Sequence, residues 1–214
     1  MSEETRLRDE IALLAKSLYD RGLTHGSTGN ISARLSDGSL LVTPTGSSLG
    51  MLDPARISRL DGSFNHIDGD LPTKEVPLHS AFYETRQAQT GAVVHLHSTH
   101  SVALSVLPET DPDNVLPPIT PYSLMQLGKV KLLPYFMPGD AAMGEAVRGL
   151  AGKHSAVLLA NHGPVVAAKN LRAAVFAMEE LEATARLVLL TRGMKANLLT
   201  DNDVAALAKR YPVE

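Results

Sequence analysis

The sequence predicts an α/β fold, formed by one domain that spans residues 1–214. Segments with apolar residues at helical spacing alternate with short apolar runs of strand length. An Asp37-Gly38 pair between two such runs is typical of a β-hairpin. The length of 214 residues is enough for one substantial hydrophobic core, and no internal repeat divides the chain.

The first element is an amphipathic helix over about residues 4–21, which Gly22 is placed to end. Its apolar residues recur at helical spacing: Ile11, Leu14, Ala15 and Leu18. Two strands at 30–35 and 39–43 follow and form the predicted hairpin.

Two loops rich in Gly, Ser and Thr, residues 25–29 and 45–50, flank the hairpin strands and should lie at the same end of the ribbon. Small residues let backbone N–H groups and hydroxyls surround an anion such as phosphate. Ordinary turns have the same composition, so the loops alone do not identify an anion site. The sequence has no Walker A motif, and no Gly-x-Gly-x-x-Gly follows a strand.

The alternation continues to the end of the chain. The predicted elements are extended pieces at 57–60 and 64–67, a helix at 74–85, a strand at 92–97, a helix at 99–106, a helix at 141–150, strands at 156–160 and 165–168, and helices at 170–192 and 201–209. Five prolines between residues 108 and 121 predict an irregular loop there. Thr73 suits the N-cap of the helix at 74–85.

Composition and charge narrow the class of protein. The net charge is −3 without a basic cluster, so neither nucleic acid nor an anionic membrane is expected as a partner. No cysteine is present, which excludes disulfides and thiolate metal sites. The polar, acidic N-terminus carries no apolar signal core, and no apolar run has the length of a membrane span. A cytoplasmic location is therefore expected.

Two histidines at the end of the strand at 92–97 are either hydrogen-bonded core residues or part of a metal site, and His162 favours the metal site. Side chains two residues apart on a strand share a face, so His95 and His97 point the same way, with Cα atoms about 6.5–7 Å apart. His162 follows another apolar strand directly, at a Gly-Pro turn. Three neutral imidazoles suit a metal that keeps an open position and acts as a Lewis acid.

Two residues that precede this strand, Glu75 and His79, have interpretations that do not involve a metal. Glu75, in the first turn of its predicted helix, is either a capping residue or a third participant in the metal site. His79 is expected on the surface of that helix or packed against its neighbours, without a role in the site.

In order along the chain, the segments STGNIS, TPTG, HLHSTH and NHGPVV, together with a glutamate that precedes a helix, resemble the class II aldolase/adducin family. This family includes fuculose-phosphate aldolase and ribulose-phosphate 4-epimerase. The resemblance covers nearly the whole chain and implies a three-layer α/β/α fold with a mainly antiparallel central sheet.

Within the family, the chain most resembles the 3-oxo-tetronate 4-phosphate decarboxylases. The segments that carry this resemblance are TPTGSSLG, PTKEVPLH, VVHLHST, TPYSLMQLG, PYFMPGD and LLANHGPVV. Aldolases and epimerases usually have two serines before the acid, where this chain has Thr73-Lys74. The epimerases tend to have Asp at the position of Glu75, and adducins have lost the metal histidines that this chain keeps.

The resemblance also assigns roles to residues. It implies zinc ligands at His95, His97 and His162, and an acid/base carboxylate at Glu75 that also binds zinc when substrate is absent. The positions that match the phosphate-binding residues of the family are Gly29, Asn30, Thr45, Gly46, Thr73 and Lys74. The implied cofactor is one Zn²⁺ per subunit, although Mn²⁺, Co²⁺ or Fe²⁺ bind the same imidazoles.

Family members are typically homotetramers with active sites at subunit interfaces. The resemblance therefore implies that Tyr122 donates a proton in the site of a neighbouring subunit, and Tyr211 is a candidate to reach that site in the same way.

The implied reaction is zinc-dependent decarboxylation of a 3-oxo-tetronate 4-phosphate to dihydroxyacetone phosphate and CO₂, through an enediolate that the metal stabilises. Lys74 adds a positive charge suited to a substrate with both phosphate and carboxylate groups. Three alternatives stay open: a fuculose-phosphate aldolase-like sugar-phosphate aldolase, a sugar-phosphate dehydratase, and a non-catalytic adducin-like module.

Overall fold

The computed structural model describes residues 1–212, which form seven α-helices and one eight-stranded sheet. The helices are α1 Glu3–Asp20, α2 Val76–Arg86, α3 Thr99–Ser105, α4 Pro121–Leu127, α5 Ala142–Arg148, α6 Leu171–Thr191 and α7 Asp201–Arg210. The strands are β1 Asn30–Arg34, β2 Leu40–Val42, β3 Ser58–Leu60, β4 His66–Asp68, β5 Ala92–His95, β6 Lys131–Leu133, β7 Ala156–Leu159 and β8 Gly163–Ala168.

The sheet has the strand order β4-β3-β2-β1-β5-β8-β7-β6 and is mixed. The expectation of a mainly antiparallel sheet needs a correction at one edge, since β6 and β7 are parallel whereas the other paired strands are antiparallel. The reason lies in the connection between them. Parallel neighbours need a crossover rather than a tight turn, and α5 lies in the segment that joins β6 to β7.

Two hydrophobic clusters, one on each face of the sheet, give the fold its three layers. Alternate residues of a strand point to opposite faces, and in β5 Val94 belongs to one cluster and Val93 to the other. Helices α1 and α6 pack on the Val94 face, and α2 and α5 pack on the Val93 face. Strands β5 and β7, between these layers, are buried on both sides.

Most of the predicted elements are present, with small shifts at their ends. The Asp37-Gly38 turn joins β1 to β2, with Gly38 at a φ of +86°. The segment that follows the proline-rich loop contains two elements that the sequence did not predict, α4 and β6. Pro121 begins α4 rather than breaking it, because the first turn of a helix does not need the N–H that proline lacks.

Within residues 1–212, the helices are either too short or too polar to cross a membrane. The expected cytoplasmic location stays a prediction.

Candidate metal centre

The two histidines of the His-x-His segment lie at the end of β5, in the middle of the sheet. β5 pairs with β1 on one side and with β8 on the other, and His95 is fully buried. His97 lies two residues beyond the hydrogen-bonded strand, yet its ring centroid is 5.0 Å from that of His95. The predicted common direction of the two rings is therefore confirmed.

Two glycines allow neighbouring segments of the chain to lie close to the backbone of residues 95–97. A Cβ on Gly29 would lie 2.9 Å from the carbonyl oxygen of His95, and the φ of Gly29 is +82°. A Cβ on Gly163 would lie 2.2 Å from the carbonyl oxygen of Leu96. Both distances are too short for a side chain. Glycine at these positions therefore allows the segments on both sides of β5 to lie this close to it.

His162 reaches the pair from the turn between β7 and β8. Asn161 adopts a φ of +57° there, and the backbone N–H of His162 donates to the carbonyl of Leu159. The centroid of the His162 ring lies 4.9 Å from that of His95 and 4.7 Å from that of His97. Three histidines, of which the first and the last are 67 residues apart in the sequence, thus converge on one point.

The arrangement fits a metal ion. One nitrogen from each of the three rings lies within 4.8 Å of the others. Tetrahedral zinc ligands at the usual bond length are about 3.3–3.4 Å apart, and the Nε2 atoms of His95 and His162 are 3.4 Å apart. The Nδ1 atom of His95 donates to the carbonyl of Pro164 at 2.9 Å, which leaves its Nε2 lone pair free for a metal.

Burial keeps two of the rings in the form that binds metals. Together with the nearby rings of His95 and His162, it lowers the pKa of His97 to about 3. Burial and the His95 ring lower the pKa of His162 to about 4. Both imidazoles are therefore neutral at neutral pH, as metal ligation requires.

Glu75 faces these histidines rather than capping its helix. It occupies the N-cap position of α2, two residues later than the predicted cap Thr73, and its carboxylate makes no capping hydrogen bond. One oxygen lies 3.4 Å from Nε2 of His95, and the other lies 3.5 Å from Nε2 of His162. The capping interpretation of Glu75 is wrong, because the carboxylate turns inward and is only 6% exposed.

The Glu75 carboxylate also accepts a hydrogen bond of 2.7 Å from the side-chain amide of Asn30. Burial acts to raise the pKa of Glu75, but its interaction with His95, the hydrogen bond from Asn30 and other nearby imidazoles together lower it below the ordinary value. Glu75 is therefore an ionised carboxylate at neutral pH.

A cleft of about 280 Å³ opens beside His97, His162 and Glu75. All six residues predicted to bind phosphate line it: Gly29, Asn30, Thr45, Gly46, Thr73 and Lys74. The structure thus brings the two Gly/Ser/Thr loops together, as the hairpin geometry predicts, and places the start of α2 beside them. A larger cleft of about 550 Å³ beside Lys169 and Phe176 contains no histidine, so size does not identify the site.

Sequence reasoning missed two parts of the site. Pro138 and Gly139 line the same cleft; they belong to the segment PYFMPGD, which carries the family resemblance but to which the resemblance assigns no role in the site. His79, expected to have no role, is buried and hydrogen-bonded to Asn30. A signal for His79 did exist: it is four residues after Glu75, and residues with this spacing share a helix face.

The two tyrosines of the family pattern are not among the residues that line the cleft of this chain. The Tyr122 side chain is 60% exposed at the start of α4, and Tyr211 is 38% exposed after α7. Their contribution to the site of a neighbouring subunit stays a prediction.

Comparisons with known proteins give a consistent result. The model of the Class II Aldolase and Adducin N-terminal domain matches residues 9–189. A protein of Pectobacterium atrosepticum named 3-oxo-tetronate 4-phosphate decarboxylase is 48% identical over 208 residues, covering 97% of this chain and 95% of the relative. The L-fuculose phosphate aldolase of Escherichia coli K12 is 30% identical over 213 residues, covering 98% of this chain and 95% of the relative.

Among solved structures, the crystal structure of YgbL from Escherichia coli has the same fold. It superimposes with a TM-score of 0.94 at 45% sequence identity, covering 96% of this chain and 99% of YgbL.

Proposed function

Because the chain belongs to the class II aldolase and adducin family, we propose that it is a metal-dependent carbon–carbon lyase that converts a 3-oxo-tetronate 4-phosphate to dihydroxyacetone phosphate and CO₂. The observation that carries this proposal is the 48% identity, over 97% of the chain, to a relative named for that decarboxylase. The relative named for aldol cleavage is 30% identical over a similar length.

The residues that would hold the metal are His95, His97 and His162, with Glu75 close to two of them. Three imidazoles and no thiolate favour Zn²⁺, and Mn²⁺, Co²⁺ or Fe²⁺ are compatible with the same nitrogens. A divalent ion bound there supplies a Lewis acid that polarises the keto group of the substrate.

The cleft is suited to the phosphate end of the substrate. The loop residues Gly29, Thr45 and Gly46, together with Thr73, offer backbone N–H groups and hydroxyls, and Lys74 offers a positive charge. Holding the phosphate there fixes the position of the carboxylate that leaves as CO₂, so the cleft contributes to the rate by orientation. The Lys74 charge, beside the Glu75 carboxylate, also favours a substrate that carries two anionic groups.

Glu75 is the residue best placed to move a proton. When the bond between C1 and C2 breaks, its electron pair stays on the substrate as an enediolate, and C2 must then gain one proton to give dihydroxyacetone phosphate. Glu75 is ionised before substrate binds. It must therefore collect that proton during the cycle, from solvent in the cleft or from Tyr122 of a neighbouring subunit, before passing it to C2.

We further propose that the protein is a homotetramer in which each site is completed by Tyr122 of a neighbouring subunit. Tyr122 is exposed at the start of α4 and does not line the cleft of its own chain. An exposed side chain in this position can reach the cleft of a neighbouring subunit, which supports the proposal.

The second candidate function is aldol cleavage of a sugar 1-phosphate, which the 30% identity to L-fuculose phosphate aldolase favours. Cleavage gives the same enediolate, so the same metal site and carboxylate serve both reactions. Dehydration of a sugar phosphate is a third, less supported, reaction. A non-catalytic adducin-like module is disfavoured by the three converging histidines.

The test is to incubate the metal-loaded enzyme with 3-oxo-tetronate 4-phosphates of both configurations at C2 and to measure CO₂ and dihydroxyacetone phosphate. Equimolar release of both products is expected. Cleavage of L-fuculose 1-phosphate without CO₂ release from either tetronate would reject the decarboxylase in favour of the aldolase. A purified protein that takes up no divalent ion and acts on neither kind of substrate would favour the module.

A further inference from the structure

We propose that His79 is a positioning residue, which fixes the catalytic carboxylate of Glu75 by locking the side-chain amide of Asn30 in one orientation. The inference rests on the proposed function, because it assumes that Glu75 carries the proton of the lyase reaction.

The contacts form a continuous buried chain. Nε2 of His79 lies 2.6 Å from the amide oxygen of Asn30, and the amide nitrogen of Asn30 lies 2.7 Å from the carboxylate of Glu75. On the other side of the ring, Nδ1 of His79 lies 2.7 Å from the hydroxyl of Ser32, which is 2.9 Å from the hydroxyl of Tyr83. All five side chains are buried, and the Asn30–Glu75 end of the chain borders the cleft.

The direction of every bond follows from the side-chain amide of Asn30. Its nitrogen, a donor, faces Glu75, and its oxygen, an acceptor, faces His79. His79 must then donate from Nε2, which leaves Nδ1 to accept from Ser32. The Ser32 oxygen in turn accepts from Tyr83, so all the hydrogens of the chain point toward Glu75.

The protonation of His79 agrees with this direction. Burial, reinforced by the nearby His95 ring, lowers the pKa of His79 to about 3, so the ring is neutral and has one donor and one acceptor nitrogen. A neutral ring with its proton on Nε2 satisfies both neighbours of the ring.

This arrangement has a consequence for Glu75. If the amide of Asn30 turned over, its carbonyl oxygen would face the carboxylate of Glu75, and its NH₂ group would face the N–H of His79. Both contacts are repulsive, so His79 holds Asn30 in the orientation that stabilises the carboxylate. Glu75 then keeps one oxygen hydrogen-bonded to Asn30, while the other faces His162.

A role limited to filling the core makes a different prediction. In that case, replacing His79 by Phe, which is apolar and of similar size, would leave the rate unchanged or affect it only through folding. In the positioning role, the Phe substitution frees Asn30, and the rate falls although the protein folds and binds metal.

The kinetic test compares His79→Phe with His79→Gln, whose amide can still donate to Asn30. In His79→Phe we expect kcat to fall about 10- to 100-fold, the usual effect of removing a residue that supports a metal or catalytic group. KM and metal content should change little, and His79→Gln should recover much of the rate. A kcat of His79→Phe equal to that of the unsubstituted enzyme would overturn the proposal, and so would a loss of kcat that Gln fails to rescue.

A spectroscopic test does not depend on the reaction. Nitrogen-15 NMR of the metal-loaded protein should show His79 with its proton on Nε2, and the side-chain amide of Asn30 should exchange with solvent faster in His79→Phe. A proton on Nδ1, or unchanged exchange, would overturn the positioning role. If the unsubstituted enzyme releases no CO₂, the proposed function fails, and this NMR result alone supports or overturns the inference about His79.

Discussion

At the scale of single residues, the centre depends on which nitrogen of each histidine is available. The carbonyl of Pro164 holds Nδ1 of His95, so that its Nε2 faces Nε2 of His162. No residue within the described part of the chain, residues 1–212, bonds to the buried Nδ1 of His162. A backbone carbonyl therefore orients the ring of His95, whereas the ring of His162 has no such support from the described residues.

The first prediction concerns metal binding. Replacing His97 by Ala removes one of three ligands, so we expect the purified protein to lose its divalent ion and its activity to fall by more than about 100-fold, beyond the loss typical of supporting residues. Elemental analysis and the CO₂ assay measure both effects. The matched control is His66→Ala, since His66 is an exposed histidine of β4. Metal retained by His97→Ala at the level of this control would contradict the ligand assignment.

Glu75→Gln separates chemistry from structure. Gln keeps the size of the side chain and an oxygen that accepts from Asn30, but it cannot carry a proton. We expect kcat to fall about 10²- to 10⁴-fold, with metal content and melting temperature nearly unchanged. Glu84→Gln, an exposed change on the same helix, is the control. Normal turnover in Glu75→Gln would remove this residue from the proton transfer.

Lys74 is the residue that bears most on the choice of substrate. It is exposed at the edge of the cleft, where its charge can reach an anionic ligand. In Lys74→Ser we expect KM for the tetronate phosphate to rise roughly tenfold, equivalent to about 1.4 kcal/mol, while Lys153→Ser leaves it unchanged. Steady-state kinetics measure KM for both variants. An equal KM in both would rule out a contact between Lys74 and substrate.

At the scale of elements, the site exists because β5 is held between two strands whose first residues lie close to it. Gly163 illustrates the constraint, since a Cβ there would meet the backbone of Leu96 at 2.2 Å. The turn that carries His162 is therefore coupled to the strand that carries His95.

Gly163→Ala should consequently destabilise the protein and weaken the metal site together. We expect a loss of about 1–3 kcal/mol in the free energy of unfolding, as for other overpacked positions, and weaker metal binding because His162 moves with β8. Urea denaturation and metal titration measure the two effects. In the control Gly62→Ala, the new Cβ comes no closer than 3.8 Å to other chain segments, so stability should change by less than about 0.5 kcal/mol. Stability of Gly163→Ala equal to that control would show that β8 moves away without cost.

Local patterns predicted most elements because periodicity and turn chemistry are local properties. The helix at 170–192 agrees with α6, Leu171–Thr191, and the Asp37-Gly38 hairpin is present. β6 could not be predicted in this way, because its three residues form a strand only through pairing with β7. The same limit applies to Glu75, whose inward orientation depends on Asn30 from another strand.

At the scale of the whole molecule, the proposed tetramer makes a prediction about shared sites. If Tyr122 acts in a neighbouring subunit, Tyr122→Phe and Glu75→Gln damage different halves of each site. Hybrids formed from the two inactive variants should then regain activity, because about a quarter of the sites in a random mixture combine two intact halves.

Co-expression of differently tagged variants, purification of the hybrids and the CO₂ assay test this prediction. Each variant purified alone is the control. Hybrids as inactive as their parents would place Tyr122 outside the shared site, and a monomer in sedimentation analysis would reject the tetramer itself.

By itself, the sequence determined the family and the loops around the cleft, because these depend on residue types in a fixed order along the chain, and the resemblance to the family implied the ligand set His95, His97 and His162. Only the tertiary structure decided the parallel edge of the sheet and the inward turn of Glu75. It also decided the hydrogen-bonded chain through His79. These features arise from contacts between segments far apart in sequence, where burial fixes the direction of each polar group because no water is available to replace its partner.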